Sequence, residues 1–242
     1  MDSEMRIFHL SFVALALLCG RGFAASTNDP SPRAPVQWIA PSAGARTVVD
    51  FDRGWRFSKG DFASAAVPAF DDSAWRRLDL PHDWSIEGPF SPELASGTGY
   101  APGGIGWYRR HFRLDAAATN RLIAIEFDGV YDHSQVWING HFVGGRPYGY
   151  SSFACDLTPF LKSDEADNVV AVRVDHTRYA DSRWYTGSGI YRHVRLRLTN
   201  RLRVAQWGAF VTTPKVEEHA AEVQVETTVE NDTGAAVEFA LE

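Results

Sequence analysis

From Trp107 to Leu198, apolar and polar residues alternate in short runs separated by turn-forming residues. WYRRHFRL (107–114) puts Trp107, Arg109, His111 and Arg113 on one face of a strand and Tyr108, Arg110, Phe112 and Leu114 on the other. RLIAIEF (121–127), SQVWI (134–138), VVAVRVD (169–175) and HVRLRL (193–198) are further strands, the last three showing period-two alternation. Ile190, Val194, Leu196 and Leu198 read as the inward positions of the last strand and its lead-in, and Trp137 as core. Asn139-Gly140 is a hairpin signal, because a type I′ turn needs positive φ at both central positions. Asp156 to Leu161 reads as one short turn opened by an Asp cap and a proline. No helical stripe exceeds two turns. The expected class is all-β, a sandwich or jelly roll over 47–200, of about 150 residues.

After Asn200 the pattern restarts as VAQWGAFVTTP, AEVQVETTVEND and AAVEFALE, read as three strands, the last two joined by an Asn-Asp-Thr-Gly turn. An immunoglobulin-like sandwich needs about seven strands in about 100 residues. Residues 201–242 therefore supply an incomplete immunoglobulin-like domain, and the expectation is a fragment cut inside its second domain. Free strand edges would leave that tail, taken alone, poorly ordered or aggregation-prone.

Upstream, the Ala/Pro/Ser-rich residues 25–46 read as a linker. Residues 1–24 read as a signal peptide: Ile7 to Leu18 has h-region length, too short to span a bilayer, and Gly22, Ala24 and Ala25 suit cleavage. Starting at Met5 places Arg6 in the n-region, a positive charge that the preceding MDSE lacks. The expected location is exported, periplasmic or extracellular, with no membrane attachment after cleavage.

Composition narrows the function. The 242 residues are 45% hydrophobic and 13% aromatic with net charge −6, enough for a core and wrong for nucleic acid, which demands clustered cations. Signal cleavage leaves Cys155 as the lone cysteine, so no disulfide is expected; it reads as a small buried hydrophobe. His111, His133, His141, His176 and His193 share no metal-ligand spacing, and neither metal nor cofactor is expected. Arg109, Arg110 and Arg113 read as outer-face partners for acids, and Asp71-Asp72 and Glu217-Glu218 as turn or solvent-face pairs.

Four stretches exceed what plain scaffold needs: PHDWSIEGPF (81–90), PGGIGWYRRHF (102–112), GVYDHSQVWINGHFVG (129–144) and RWYTGSGIYR (183–192). Sugar sites pair carboxylates with hydroxyls and set flat rings against C–H faces. Asp83 fits the first role; alternatively it caps a turn after Pro81. His82 either orients Asp83 or fills the loop, and Glu87 reads as a loop carboxylate. Gly187-Ser-Gly189 lacks the Lys-Ser/Thr of a phosphate loop, so its glycines serve a positive φ or a close approach. Tyr148, Tyr150 and Phe153 form an aromatic loop.

Taken in order, the four stretches resemble the N-terminal sugar-binding domain of glycoside hydrolase family 2, particularly its β-galactosidase branch. That resemblance implies a jelly roll, an immunoglobulin-like domain and a (β/α)8 barrel carrying two catalytic glutamates of a retaining glycosidase. The family's acid/base Glu follows an Asn, and this sequence has no Asn-Glu dipeptide. The resemblance therefore assigns the chain no catalytic residue and implies inactivity on its own. It implies that Asp83 reaches the barrel mouth to bind hydroxyls of the terminal sugar, with Trp84 packed beneath. It places a second sugar contact at Asp181 or Ser182, beside Arg183. Trp184 and Tyr185 are left either to stack on sugar or to pack at the barrel interface. The implied partners are a β-galactoside-like carbohydrate and the protein's own barrel. Two other readings remain open: a free-standing carbohydrate-binding module, and a structural sandwich whose loops serve only packing.

Overall fold

The computed structural model describes residues 6–10, 36–42, 44–163, 165–178 and 185–240. Two compact units emerge, Ala34–Thr199 and another holding residues 6–10 and those after Thr199.

In the larger unit, Gln37–Ile39 (β2), Trp55–Lys59 (β4), Arg76–Leu78 (β5), Gly104–Leu114 (β6), Ser134–Ile138 (β8), His141–Arg146 (β9) and Asn168–His176 (β11) form one sheet. Its order is β5-β4-β6-β11-β8-β9, with β2 running parallel to the end of β6. Arg46–Asp50 (β3), Leu122–Phe127 (β7), Phe153–Asp156 (β10) and Val194–Thr199 (β12) form the second sheet, ordered β10-β7-β12-β3. The strands read from alternation are all present. Those missed are short: β2, β3, β4, β5 and β10 have five residues or fewer. Gln37–Ile39 lies within the expected linker, yet Ile39 is fully buried against the core. At the β8–β9 hairpin Asn139 and Gly140 have φ of 51° and 87°, as a type I′ turn requires.

The two sheets enclose a core that includes Trp55, Tyr108, Phe112, Ile125, Phe127, Val172, Leu196 and Leu198. Val194 and Ile190 are fully buried there too. Cys155 joins them as a buried thiol, and burial raises its pKa to about 11. Phe153 also packs inside, stacked on Phe127 at 4.9 Å, and so leaves the aromatic loop expected of it.

Strand β6 corrects two expectations. Arg110 faces the core, not solvent. Its guanidinium lies 3.5 Å from the Phe51 ring centroid and donates to Gln37 Oε1, and burial lowers its pKa to about 10. Arg109 does face outward, but the excursion 60–75 covers it completely. Beneath that excursion Trp137 stacks on Trp107 at 5.2 Å, in a satellite cluster outside the main core.

Asp72 anchors the excursion, which corrects its reading as a solvent-face acid. Its Oδ2 accepts from Arg109 Nε at 2.8 Å and from His111 Nε2 at 3.0 Å, and Arg56 Nε lies 3.5 Å from Oδ1. His111 Nδ1 donates in turn to Asp167 Oδ2 at 2.7 Å. Burial would raise the Asp72 carboxyl, but the bonds from His111 and Arg109 outweigh it and hold the pKa at about 2. The bond to Asp72 raises His111 against the opposing effect of burial, with help from Asp167.

In the smaller unit, Leu202–Val216 (β13) and Ala221–Asn231 (β14) pair as a long antiparallel hairpin. Residues 235–240, expected as a third strand, form none. The Asn231–Gly234 turn is present, with Gly234 at φ 80° and Asn231 Oδ1 accepting from Thr233 N at 3.0 Å. The other edge of β14, Val225–Val229, pairs with Arg6–Leu10 (β1), a stretch inside the expected signal peptide.

The Asp72 cluster predicts a bounded pH range for stability. Asp72, held below its ordinary 3.8, stabilises the fold above that value by about 2 kcal/mol, lost as pH falls toward about 2. His111, raised above 6.5, stabilises fully below 6.5, and its contribution is lost as pH rises through its folded value. Urea midpoints should thus peak between about pH 4 and 6.5, and His111→Gln should abolish the decline on the alkaline side.

Candidate carbohydrate-facing site

The four unusual stretches meet at one end of the sandwich. Residues 188–190 run between two of them as an extended segment. On one side His82 N donates to Ile190 O at 2.9 Å and Trp84 N to Ser188 O at 3.0 Å. On the other, Tyr131 N and Gly189 N exchange bonds with each other's carbonyls at 2.9 and 2.8 Å. The glycine-rich turn supplies the floor. Trp84 Nε1 donates to Gly103 O at 3.2 Å and Ser85 Oγ to Pro102 O at 2.9 Å. Gly106 is needed for closeness, since a Cβ there would lie 2.7 Å from the Trp84 ring. Trp84 is thereby buried, stacked on Phe57 at 5.5 Å, in the supporting position expected of it.

Asp83 joins two of these loops. It is the N-cap of the 3-10 turn Trp84–Glu87, with Oδ1 accepting from Ser85 N at 2.9 Å. The same oxygen accepts from Ser188 N at 2.8 Å, across 105 positions of sequence. Oδ2 accepts from the Tyr185 hydroxyl at 2.5 Å. Gly187 permits this, because any Cβ there would collide with the Asp83 carboxylate. The close approach thus serves a carboxylate within the same unit. The capping alternative holds for Asp83 and leaves one face of Oδ2 without a partner among the described residues. Burial and then Asp83 push the Tyr185 phenol well above its ordinary pKa, keeping it a donor.

His82 does not touch Asp83. His82 Nε2 lies 2.7 Å from Arg76 Nη2 and 3.1 Å from Glu87 Oε1, and Nδ1 lies 2.7 Å from Tyr108 OH. Burial, outweighing the pull of Glu87, lowers the His82 pKa and favours the neutral form. Glu87 is the expected loop carboxylate, paired with Arg76 at 2.7 Å. A second polar chain lies underneath: Ser85 Oγ and Ser188 Oγ are 2.6 Å apart, and Ser188 Oγ is 2.6 Å from His176 Nδ1. Sequence reasoning missed Ser85, Ser188, His176 and Tyr108 because nothing in their spacing marks contacts made by folding.

Asp181, Ser182, Arg183 and Trp184 lie outside the described residues. Around the site the surface is aromatic. Tyr150 meets Tyr131 at 5.3 Å and Tyr148 at 5.6 Å, and Phe90 on the 84–100 loop is 67% exposed. Among the described residues no group of three or more His, Cys, Asp or Glu could hold a metal, and no helix is long and apolar enough to cross a membrane.

A family model described as glycosyl hydrolases family 2, sugar binding domain, matches residues 46–200. The chain belongs to glycosyl hydrolase family 2. It is 54% identical over 186 residues to a β-galactosidase of Bacteroides ovatus, and 38% identical over 186 residues to a putative β-glucuronidase of Formosa agariphila. Those alignments cover 76% of this chain but only 22% and 18% of the relatives. Among solved structures, a β-glycosidase from Bacteroides vulgatus is similar with TM-score 0.73 and 39% identity, over 77% of this chain and 24% of that one. The family 2 assignment therefore rests on an N-terminal sugar-binding domain, which coincides with the larger unit up to Thr199.

If Asp83 is the joint described, Asp83→Ala removes both its cap and its bridge. Amide exchange at Ser85 and Ser188 should accelerate together, with a stability loss of about 1 kcal/mol. Loss of protection at Ser85 alone would mean that the bridge to Ser188 carries nothing.

Proposed function

We propose that this chain is the non-catalytic N-terminal region of an exported retaining glycosidase acting on β-galactosides. In this reading it supports a catalytic barrel and adds Asp83 to the sugar pocket. One observation carries it: a carboxylate held by three donors at the meeting point of four stretches, with an acceptor face on Oδ2 that no described residue fills. The β-galactosidase relative, at 54% identity, favours galactosides over the glucuronides of the more distant matches. Export rests on the signal-like sequence of residues 1–24 alone.

The chemistry of this role is binding. Retaining hydrolysis needs two carboxyls about 5–5.5 Å apart across the scissile bond, and we assign those to the barrel. A carboxylate fixed before the substrate arrives spends no free energy on ordering itself, so its bond to a sugar hydroxyl contributes in full to orientation.

In the full-length protein, Asp83→Ala should lower kcat/KM for a β-galactoside by about 10- to 100-fold, the worth of a hydrogen bond to a charged group. Unchanged kinetics in a folded variant would remove Asp83 from the pocket. The present chain alone, titrated with galactose, should bind weakly or not at all, and tight binding would point instead to a free-standing sugar-binding module.

A further inference from the structure

We propose that Tyr185 is a positioning residue: its hydroxyl fixes the Asp83 carboxylate so that a single acceptor, the remaining face of Oδ2, is presented to a substrate hydroxyl. The inference rests on the proposed role of Asp83 in the sugar pocket and adds to it which residue aims the carboxylate and how many hydroxyls it can take.

An ionised carboxylate offers about four acceptor sites, two on each oxygen. Oδ1 accepts from two backbone amides, Ser85 N at 2.9 Å and Ser188 N at 2.8 Å, which fills it. Oδ2 accepts from Tyr185 OH at 2.5 Å, which leaves one site among the described residues. Two amides on one oxygen hold that oxygen but leave the carboxylate able to swing about it. The phenol, on the other oxygen, removes that freedom. Tyr185 is itself placed by two glycines. Gly99, in the left-handed region at φ 65°, lies under its ring, where a Cβ would be 3.3 Å from Cδ2. Gly187, two residues on, yields the space that the carboxylate fills. A hydroxyl on a ring packed this way is a directional donor that no aliphatic residue could replace. Only one substrate hydroxyl can then be read by Asp83, so the site favours sugars that present a donor at one position and is indifferent to a second donor beside it.

The test is a double-mutant cycle in the full-length protein, with kcat and KM measured for a β-galactoside for Tyr185→Phe, Asp83→Ala and the double variant, and melting temperatures checked alongside. Tyr185→Phe should cost about tenfold in kcat/KM. Its effect should vanish in the Asp83→Ala background, since a residue acting through Asp83 has nothing left to position. An additive loss in the double variant would overturn the proposal, because it would mean that Tyr185 acts independently of Asp83. So would wild-type kcat/KM in Tyr185→Phe beside an impaired Asp83→Ala, an outcome that leaves Asp83 in the pocket. Unimpaired Asp83→Ala would instead remove the reading on which the proposal rests. If Tyr185→Phe fails to fold, Gly99→Ala takes its place in the cycle: it presses on the Tyr185 ring without touching Asp83, and it should show the same dependence on Asp83 or overturn the proposal.

Discussion

Burial of both faces of β6 is the constraint on which the sandwich depends, because successive residues of one strand must satisfy two unlike environments. Tyr108 and Phe112 enter the core between the sheets, while Trp107, Arg109 and His111 lie under the 60–75 excursion. A strand so placed cannot shift register by one position without driving Arg109 and His111 into the core. The excursion is equally constrained, since Asp72 must follow Arg109. Register, excursion and the mouth of the site are fixed together, for Tyr108 on the inner face is also the partner of His82 at the site.

Charge is placed to confer specificity at some expense in stability. Arg109 is fully buried and its carboxylate partner nearly so, an arrangement that costs desolvation and gives net stability only where every donor is met. Here the guanidinium also reaches the backbone carbonyls of Ala65, Val67 and Pro68, so the excursion's main chain takes up donors that Asp72 cannot. Arg110 is met differently, by a ring face and one amide oxygen, and its Nη1 has no hydrogen-bond partner among the described residues. Adjacent arginines on one strand thus hold unlike environments.

How far the sequence disclosed this follows from the kind of signal involved. Period-two alternation reveals β8, β11 and β12, whose inward residues are mostly apolar. It misassigns Arg110, because alternation divides a strand into two faces without saying which is wet, and three arginines suggest solvent. Trp137 reads as core and packs in the smaller of the two apolar clusters. At the site, the unusual stretches were legible as motifs, but their convergence was not. The bond between Ser188 N and Asp83 joins residues 105 positions apart, and no local pattern encodes it. Gly187 carried a real signal, a glycine where closeness is demanded, though not what it must approach.

Arg46 pairs with Thr199, on neighbouring strands β3 and β12. The segment that matches the family, 46–200, therefore enters and leaves at a single point on the edge of one sheet. A fold whose ends meet can be joined to other polypeptide through one doorway, with no strand broken to admit it. That layout brings the two ends of the matched segment together at one sheet edge, while β2, upstream of it, still seals Ile39 into the same core.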